Sequence, residues 1–387
     1  MNVRDIIQKS IVAMTATIAM SSCSMMTEDR DDCPEGLYVN FVYDYNTQRA
    51  DMFKDHVGGL TLYVYDESDR LVAQRTVSGS ELRRYGFNIH FTEQELAPGH
   101  QYRLVAVAMQ KDWDDALQTK GAKYQKTDMT TGADRKTFSI MLDRQTSAQP
   151  PYYLVSTAAP LDTLWHTLAT LQAPSATQPT ATKYHQLADG NIETNGQETV
   201  TLVSGEPCFA TVSLIRDTKH LNISLREIDA PEDIDAQDYE VFIVDANGDL
   251  DYQNNVVSPS DSLIYQPYAQ WTTNYDGGGT MATQRSAHYD LMFNRLMYNP
   301  TPAKNAVLCI RKKSTGQDIA VLNLAEILSE GRTAFEIYSY TPQEYLDREY
   351  DYRLELFLKG EQWKTLSYLY VCIDVLSWAK RIQFENL

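Results

Sequence analysis

The sequence predicts an all-β protein built as two β-sandwiches in tandem, and three observations carry that prediction. Tyrosine is unusually frequent at 25 of 387 residues, and a tyrosine-rich, threonine-rich chain favours strands. Short segments alternate apolar and polar residues at period two, and few stretches hold a helical period. Turn-forming clusters separate those segments at short intervals, as sandwiches and barrels require.

The strands follow in order. "LYVNFVYDY" (Leu37 to Tyr45), "LTLYVYD" (Leu60 to Asp66) and "YRLVAVAM" (Tyr102 to Met109) all alternate. Between them, "DESDR" supplies side chains that form Asx-type turns, and "LAPGHQY" puts Pro98 and Gly99 where the chain must reverse. From Ala173 to Gly196 the chain is rich in Pro, Thr and Ala without a sustained apolar pattern, so the boundary is placed near its end. The first sandwich is therefore expected over 33–196 and the second over 197–387. The second half repeats the same grammar in "TVSLIRD", "LNISLREID", "YEVFIVDANGDL", "AVLCIRKKSTGQD", "YRLELFLKGEQW" and "YLYVCIDVL". Short helices are expected in Val321 to Gly331, ending at a capping glycine, and in Thr341 to Tyr350.

The amino terminus has a different character. Arg4 and Lys9 precede an apolar run from Ile11 to Met20, which is too short to span a bilayer. It reads as a secretion signal over 1–22. Ser21 and Ser22 lead into Cys23, a pattern that resembles a bacterial lipobox although Met20 stands where leucine is commoner. The resemblance implies a diacylglyceryl group on the Cys23 thiol, cleavage before it, and an acidic tether over 23–32. Two or three acyl chains give stable anchoring where one is marginal. The alternative is a plain secreted chain in which Cys23 is incidental.

Composition limits the function classes. A net charge of −18 and a pI near 4.8 argue against nucleic acid, because no basic patch can neutralise phosphates. With Cys23 set aside, Cys33, Cys208, Cys309 and Cys372 could form two disulfides; at least two are expected instead to be buried free thiols within strand-like runs. No metalloprotease, nucleophile-elbow, phosphate-loop or dinucleotide motif occurs. The glycine run Asp276 to Thr280 lacks the lysine that phosphate binding needs, and the seven histidines show no metal-ligand spacing. "DANGDLD" has the alternating oxygens of a calcium loop, but Leu250 and Val256 occupy the positions that need glycine and glutamate. A hairpin turn on Asn247-Gly248 explains it without an ion. Glu232 and Asp233 carry little information among 52 acidic residues. No catalytic residue, metal site or cofactor is expected beyond the lipid on Cys23.

Several phrases taken together resemble one family. "CPEGLYVNFVYDYN" at Cys33, "GGLTLYVYDESDRLV" at Gly58, "LAPGHQYRLVAVA" at Leu96, "VSLIRDTKHLNISL" at Val212, "YEVFIVDANGDLDYQN" at Tyr239, "AVLCIRKKSTGQDIAVLNL" at Ala306, "QEYLDREYDYRLELFL" at Gln343 and "CIDVLSWAKRIQFENL" at the end are similar to the fimbrillin-A-associated anchor proteins. The similarity covers nearly the whole mature chain in order. It implies two transthyretin-like sandwiches, a lipoprotein on the outer membrane at the base of a type V fimbria, fimbrillin subunits as partners, and no catalysis. Glu28, Asp29, Asp31 and Asp32 are compatible with the surface-export signal of such lipoproteins. Any host ligand is left unnamed.

In related stalk subunits, loss of an N-terminal strand opens a groove for a neighbour's strand. An anchor that keeps its first strand has no open groove, so "LYVNFVYDY" is expected to stay paired. The terminal segment "VLSWAKRIQFENL" is expected to approach the shaft, with Trp378, Ile382, Phe384 and either Asn386 or Leu387 as pocket residues. The same residues could instead complete the protein's own last strand. Arg30 and Arg49 are candidate trypsin-like maturation sites. The alternatives are a tip or minor stalk subunit, or a glycan-binding surface lipoprotein with Trp165, Trp271 and Trp363 as a sugar platform.

Overall fold

Period-two alternation becomes one buried face as soon as the first strand forms. In β1 (Gly36–Val42), Leu37, Val39 and Phe41 are buried while Tyr38, Asn40 and Val42 are half-buried. The computed structural model describes residues 35–147, 151–173, 184–186, 192–194, 199–257, 261–275, 284–358, 370–375 and 378–383. These residues form a β protein of two sandwich units.

The first unit is an eight-stranded sheet folded on itself. Its order is β3 (Leu71–Ser78), β2 (Gly59–Tyr65), β5 (Gln101–Met109), β10 (Leu164–Ala173), β14 (Pro207–Arg216), β1 and β4 (Ile89–Phe91), with β13 (Val200–Thr201) paired to β5. β10 makes the fold-over possible: Leu164 to His166 pair with β5 on one side, Trp165 to Ala173 pair with β14 on the other, and a bulge between Thr167 and Ala169 bends the strand. Leu60, Leu62, Val64, Leu104 and Ala106 then share one core with Leu37, Val39, Phe41, Val212 and Leu214. Each such buried side chain stabilises the fold by about 1.5–3 kcal/mol.

The second unit has two six-stranded sheets. One runs β19 (Ala269–Tyr275), β20 (Gln284–Phe293), β15 (Lys219–Glu227), β23 (Asp351–Leu358), β24 (Tyr370–Val375) and β25 (Trp378–Gln383). The other runs β22 (Gln317–Asn323), β21 (Val307–Lys312), β16 (Tyr239–Asp245), β18 (Leu263–Tyr265), β9 (Tyr153–Leu154) and β8 (Gln145–Thr146). Leu221, Ile223, Leu225, Leu291 and Leu354 share a core with Val241, Ile243, Leu308, Ile310 and Leu322. β17 (Asp249–Asp251), β7 (Ser139–Leu142) and β6 (Tyr124–Lys126) make a small sheet, and β11 (Tyr184–Gln186) pairs with β12 (Ile192–Thr194). The units share a plan. Each opens on a strand, β1 or β15, that lies parallel to a late strand, β14 or β23, and antiparallel to β4 or β20 on its other side.

The expected boundary at 196/197 shifts. β13 and β14 belong to the first sheet, so sheet membership changes between Arg216 and Lys219. Two segments before that point cross the other way: β7 pairs with β17, and β9 lies parallel to β18. Strand pairing, not composition, assigns a segment to a unit, and even the polar stretch holds a strand pair, β11 with β12.

Other local expectations change with their surroundings. The expected first helix is shorter, Leu324–Ser329, with the Asn323 side chain capping the Glu326 N–H, because Val321 to Asn323 pair with β21. Gly331 is not its cap; a Cβ there would collide with the Tyr345 hydroxyl, so glycine is needed for space. The second helix is Pro342–Arg348, capped by Thr341. Asn247-Gly248 makes no hairpin, because β17 pairs with β7 instead of β16. Asn247 is buried, donating to the Asn294 and Arg295 carbonyls at 3.0 Å and accepting from the Tyr265 hydroxyl at 2.6 Å. Asp249 accepts from Arg144 at 2.9 Å. Cys208 and Cys309 are buried free thiols, as expected.

The fold-over leaves His166 fully buried. Its Nδ1 faces the Thr167 carbonyl at 3.2 Å, and its Nε2 has no hydrogen-bond partner among the described residues. Burial pulls its pKa down to about 4 from 6.5. Between those values the unfolded chain binds the proton and the folded chain does not. His166 therefore costs no stability above pH 6.5, and stability falls as pH drops toward 4, by about 2 kcal/mol at pH 5. Between pH 7 and pH 5 the native chain should therefore lose about 2 kcal/mol of stability relative to H166L, read from urea denaturation of both at the two pH values. An equal drop in both proteins would show that another group is responsible.

Candidate functional site: the first strand and its strap

β1 is an interior strand. All seven of its residues register with Pro207 to Ser213 of β14, and Leu37 to Val39 pair with Ile89 to Phe91 of β4. Tyr43 to Tyr45, expected within the strand, instead leave the sheet and begin a tight strap to Ala50. Asn46 closes it: its amide donates to the Tyr43 carbonyl at 2.9 Å and the Ala50 carbonyl at 2.8 Å, and its own carbonyl accepts from the Arg49 N–H at 3.1 Å. Asp51 holds the base, accepting from the N–H groups of Tyr43 and Phe53.

The strap is fastened to the second unit. Thr47 donates to Glu349 at 3.3 Å and Arg49 Nε donates to the Tyr340 hydroxyl at 2.9 Å. The Arg348 guanidinium lies 4.0 Å from the Tyr45 ring centroid and 5.1 Å from that of Tyr340, and Glu344 holds it at 3.0 Å. Arg49 has φ +53° and an exposed side chain. Its peptide bond sits in a loop that is tied at both ends.

Beneath the strap a buried charge network ties the first residues of the second unit to its later segments. Only Asp217 and Thr218 separate β14 from β15. Lys219 Nζ donates to the carbonyls of Asp347 at 2.8 Å and Glu349 at 2.9 Å. Arg295 grips Asp347 with two parallel bonds of 2.7 and 2.8 Å and also donates to the Asn254 carbonyl. Asn254 in turn donates to Asp217 at 2.8 Å. Arg295 and Asp347 are 5% and 0% exposed at the side chain, so water cannot replace either partner. Burial pushes the Asp217 carboxyl well up and pulls the Lys219 amine well down, against opposing pulls from Arg295 and Asp347. The arrangement clamps the start of the second unit, Asp217 to Lys219, to Asn254, Arg295 and Asp347 of the same unit.

The residues singled out from sequence are dispersed. Cys23, Arg30, Cys33, Trp363, Phe384 and Leu387 lie outside the described residues. Trp378 and Ile382 lie in β25, facing Val375 and Val371 of β24 across an antiparallel pair. β25 ends its sheet in strand order, so one backbone edge of it is unpaired among the described strands. Trp165 is fully buried against Tyr43 and Arg216, which removes it from any sugar platform. Trp271 is 39% exposed and stacks on His288. Sequence reasoning missed the strap and the network. Their one local signal is "RDTK", a charged run between two strand patterns where a soft linker would be expected.

The family described as fimbrillin-A-associated anchor proteins Mfa1 and Mfa2 matches residues 30–185 and 194–384. The chain belongs to this family. Among solved structures, this anchor-family protein is similar to a candidate adhesin from Bacteroides thetaiotaomicron, at 24% identity and TM-score 0.65 over 92% of this chain and 100% of that one. A candidate adhesin from Bacteroides ovatus matches at 19% identity and TM-score 0.62, over 92% and 98% of the two chains. The fimbrial anchor protein Mfa2 from Porphyromonas gingivalis matches at 14% identity and TM-score 0.53, over 90% and 99%. These likenesses share the fold. No curated protein matches. Membership associates this anchor-family protein with fimbriae at the cell surface. No helix among the described residues is long and apolar enough to cross a membrane.

Proposed function

We propose that this protein is a non-enzymatic lipoprotein of the outer membrane that anchors a type V fimbria and limits its growth. The observation that carries this is β1 held in place: a paired interior strand, continuous with a strap that the second unit grips. A sandwich whose first strand stays seated offers no groove to a neighbour's strand, so the polymer ends at this subunit. The lipid on Cys23 ties that end to the membrane, and β25, at a sheet edge, is the strand placed to meet the fimbrillin shaft.

The experiment is intact-mass spectrometry of the chain extracted from native membranes, with identification of what co-purifies. A chain starting at acylated Cys23 and bound to a β-rich polymer is expected. C23A should move essentially all of the protein from membrane to medium, and removal of residues 378–387 should release the shaft without impairing export. Retained shaft in that truncation would overturn the role of the terminal strand. An unlipidated chain cut after Arg30 or Arg49 and found along a fibre would make this a stalk or tip subunit.

A further inference from the structure

Away from the strap, the β2–β3 hairpin and Lys126 to Met129 enclose an open cleft of about 450 Å³, within the usual size of a small-ligand site. Tyr63 and Met129 lie buried beneath it, at 2% and 6% exposure, and the Lys126 ammonium stands over the Tyr63 ring, 5.6 Å from its centroid. Gln74, Thr76 and Asp128 stand at the exposed rim. Lys126 sits between the buried pair and the rim. Its ammonium donates to Thr61 Oγ1 at 3.1 Å and the Tyr63 hydroxyl at 3.2 Å, and lies 4.8 Å from the Trp113 ring centroid. An ammonium has three donors, and two are assigned here. Among the described residues no carboxylate comes within ion-pair distance of it. Burial lowers the Lys126 pKa, with Asp128 and Asp114 opposing.

This lining is mainly polar and mixes donors with acceptors. A simple anion would gain Lys126 but face the Asp128 carboxylate, and an apolar ligand would strand every rim group. A ring bearing several hydroxyls satisfies both sides: it accepts from Lys126 and Gln74 and donates to Asp128. We propose that this cleft is a binding site for a single pyranose unit of a glycan, held by Lys126, Gln74, Thr76 and Asp128. It is a function separate from strand locking and does not rest on the anchor assignment.

The test is a titration of the full chain with glucose, galactose, N-acetylglucosamine and glucuronate, read by calorimetry and by tryptophan fluorescence, since Trp113 adjoins Lys126. At least one sugar should bind saturably in the millimolar range. D128N and Q74A, both exposed rim changes, should each weaken that binding by about tenfold while leaving the thermal midpoint in place. K126M should abolish it. W271A, on the other unit, should bind as the native chain does. No saturable binding of any of the four sugars, binding indifferent to the rim variants, or binding lost only in W271A would each overturn the assignment.

Discussion

A chain lacking residues 36–42 is expected to lose the fold of its first unit and to recover it when given a synthetic peptide spanning Leu37 to Tyr45. β1 contributes three buried apolar side chains, Leu37, Val39 and Phe41, at 0%, 0% and 6% exposure. At about 1.5–3 kcal/mol each, they supply roughly 5–9 kcal/mol, comparable with the whole stability of a typical domain. Removal also strips partners from both β14 and β4, exposing two rows of backbone groups beside an apolar groove. The thermal midpoint of the shortened chain should fall steeply, and peptide should restore it in a saturable way. V39D in the same peptide should fail to rescue, because residue 39 points into the core. A shortened chain that is stable and monomeric without peptide would show that β1 is not the lock, and the growth-limiting mechanism would fail with it.

R295A is expected to destabilise the protein by about 3–5 kcal/mol, the cost of leaving a buried charge without its partner. Asp347 would then lose the bidentate grip while the Gln343 amide still donates to it at 3.1 Å. Replacing both members, as R295M with D347L, should recover much of that loss, since a well-packed apolar pair avoids the desolvation penalty. The network lies directly under the strap, through Lys219 and Glu349. Hydrogen exchange of Tyr43 to Ala50 should therefore rise more in R295A than in a variant of equal stability cost placed in the first core, such as L62A. Equal exchange in the two would separate the network from the strap and reduce it to a general stabiliser. Urea denaturation supplies the energies for both comparisons.

Of the candidate site only the first strand could be read locally, and the parts that could not have a common cause. β1 was legible because alternation in "LYVNFVYDY" is a property of neighbouring residues. Its end at Val42 was not, since Tyr43 and Tyr45 continue the apolar alternation but bury themselves against Trp165 and Arg348. The strap's partners lie about three hundred positions away in sequence, as for Thr47 and Glu349. Asn247-Gly248 misled for the same reason. Its turn chemistry was sound, but the partner strand came from Ser139–Leu142, in the other half of the chain.

Sequence by itself determined the all-β class, the plan of two sandwiches, the place of the first strand, and the likeness to anchor proteins. These rest on side-chain periodicity, turn chemistry and ordered phrases, all of which are written along the chain. Tertiary structure alone decided which strands share a sheet, that β14 belongs with β1, that Trp165 is core, and that Asp217, Lys219, Arg295 and Asp347 meet. The physical reason is that pairing register and charge burial depend on groups brought together only when the sheet folds over. A buried carboxylate and an exposed one are the same letter until the chain has chosen its neighbours.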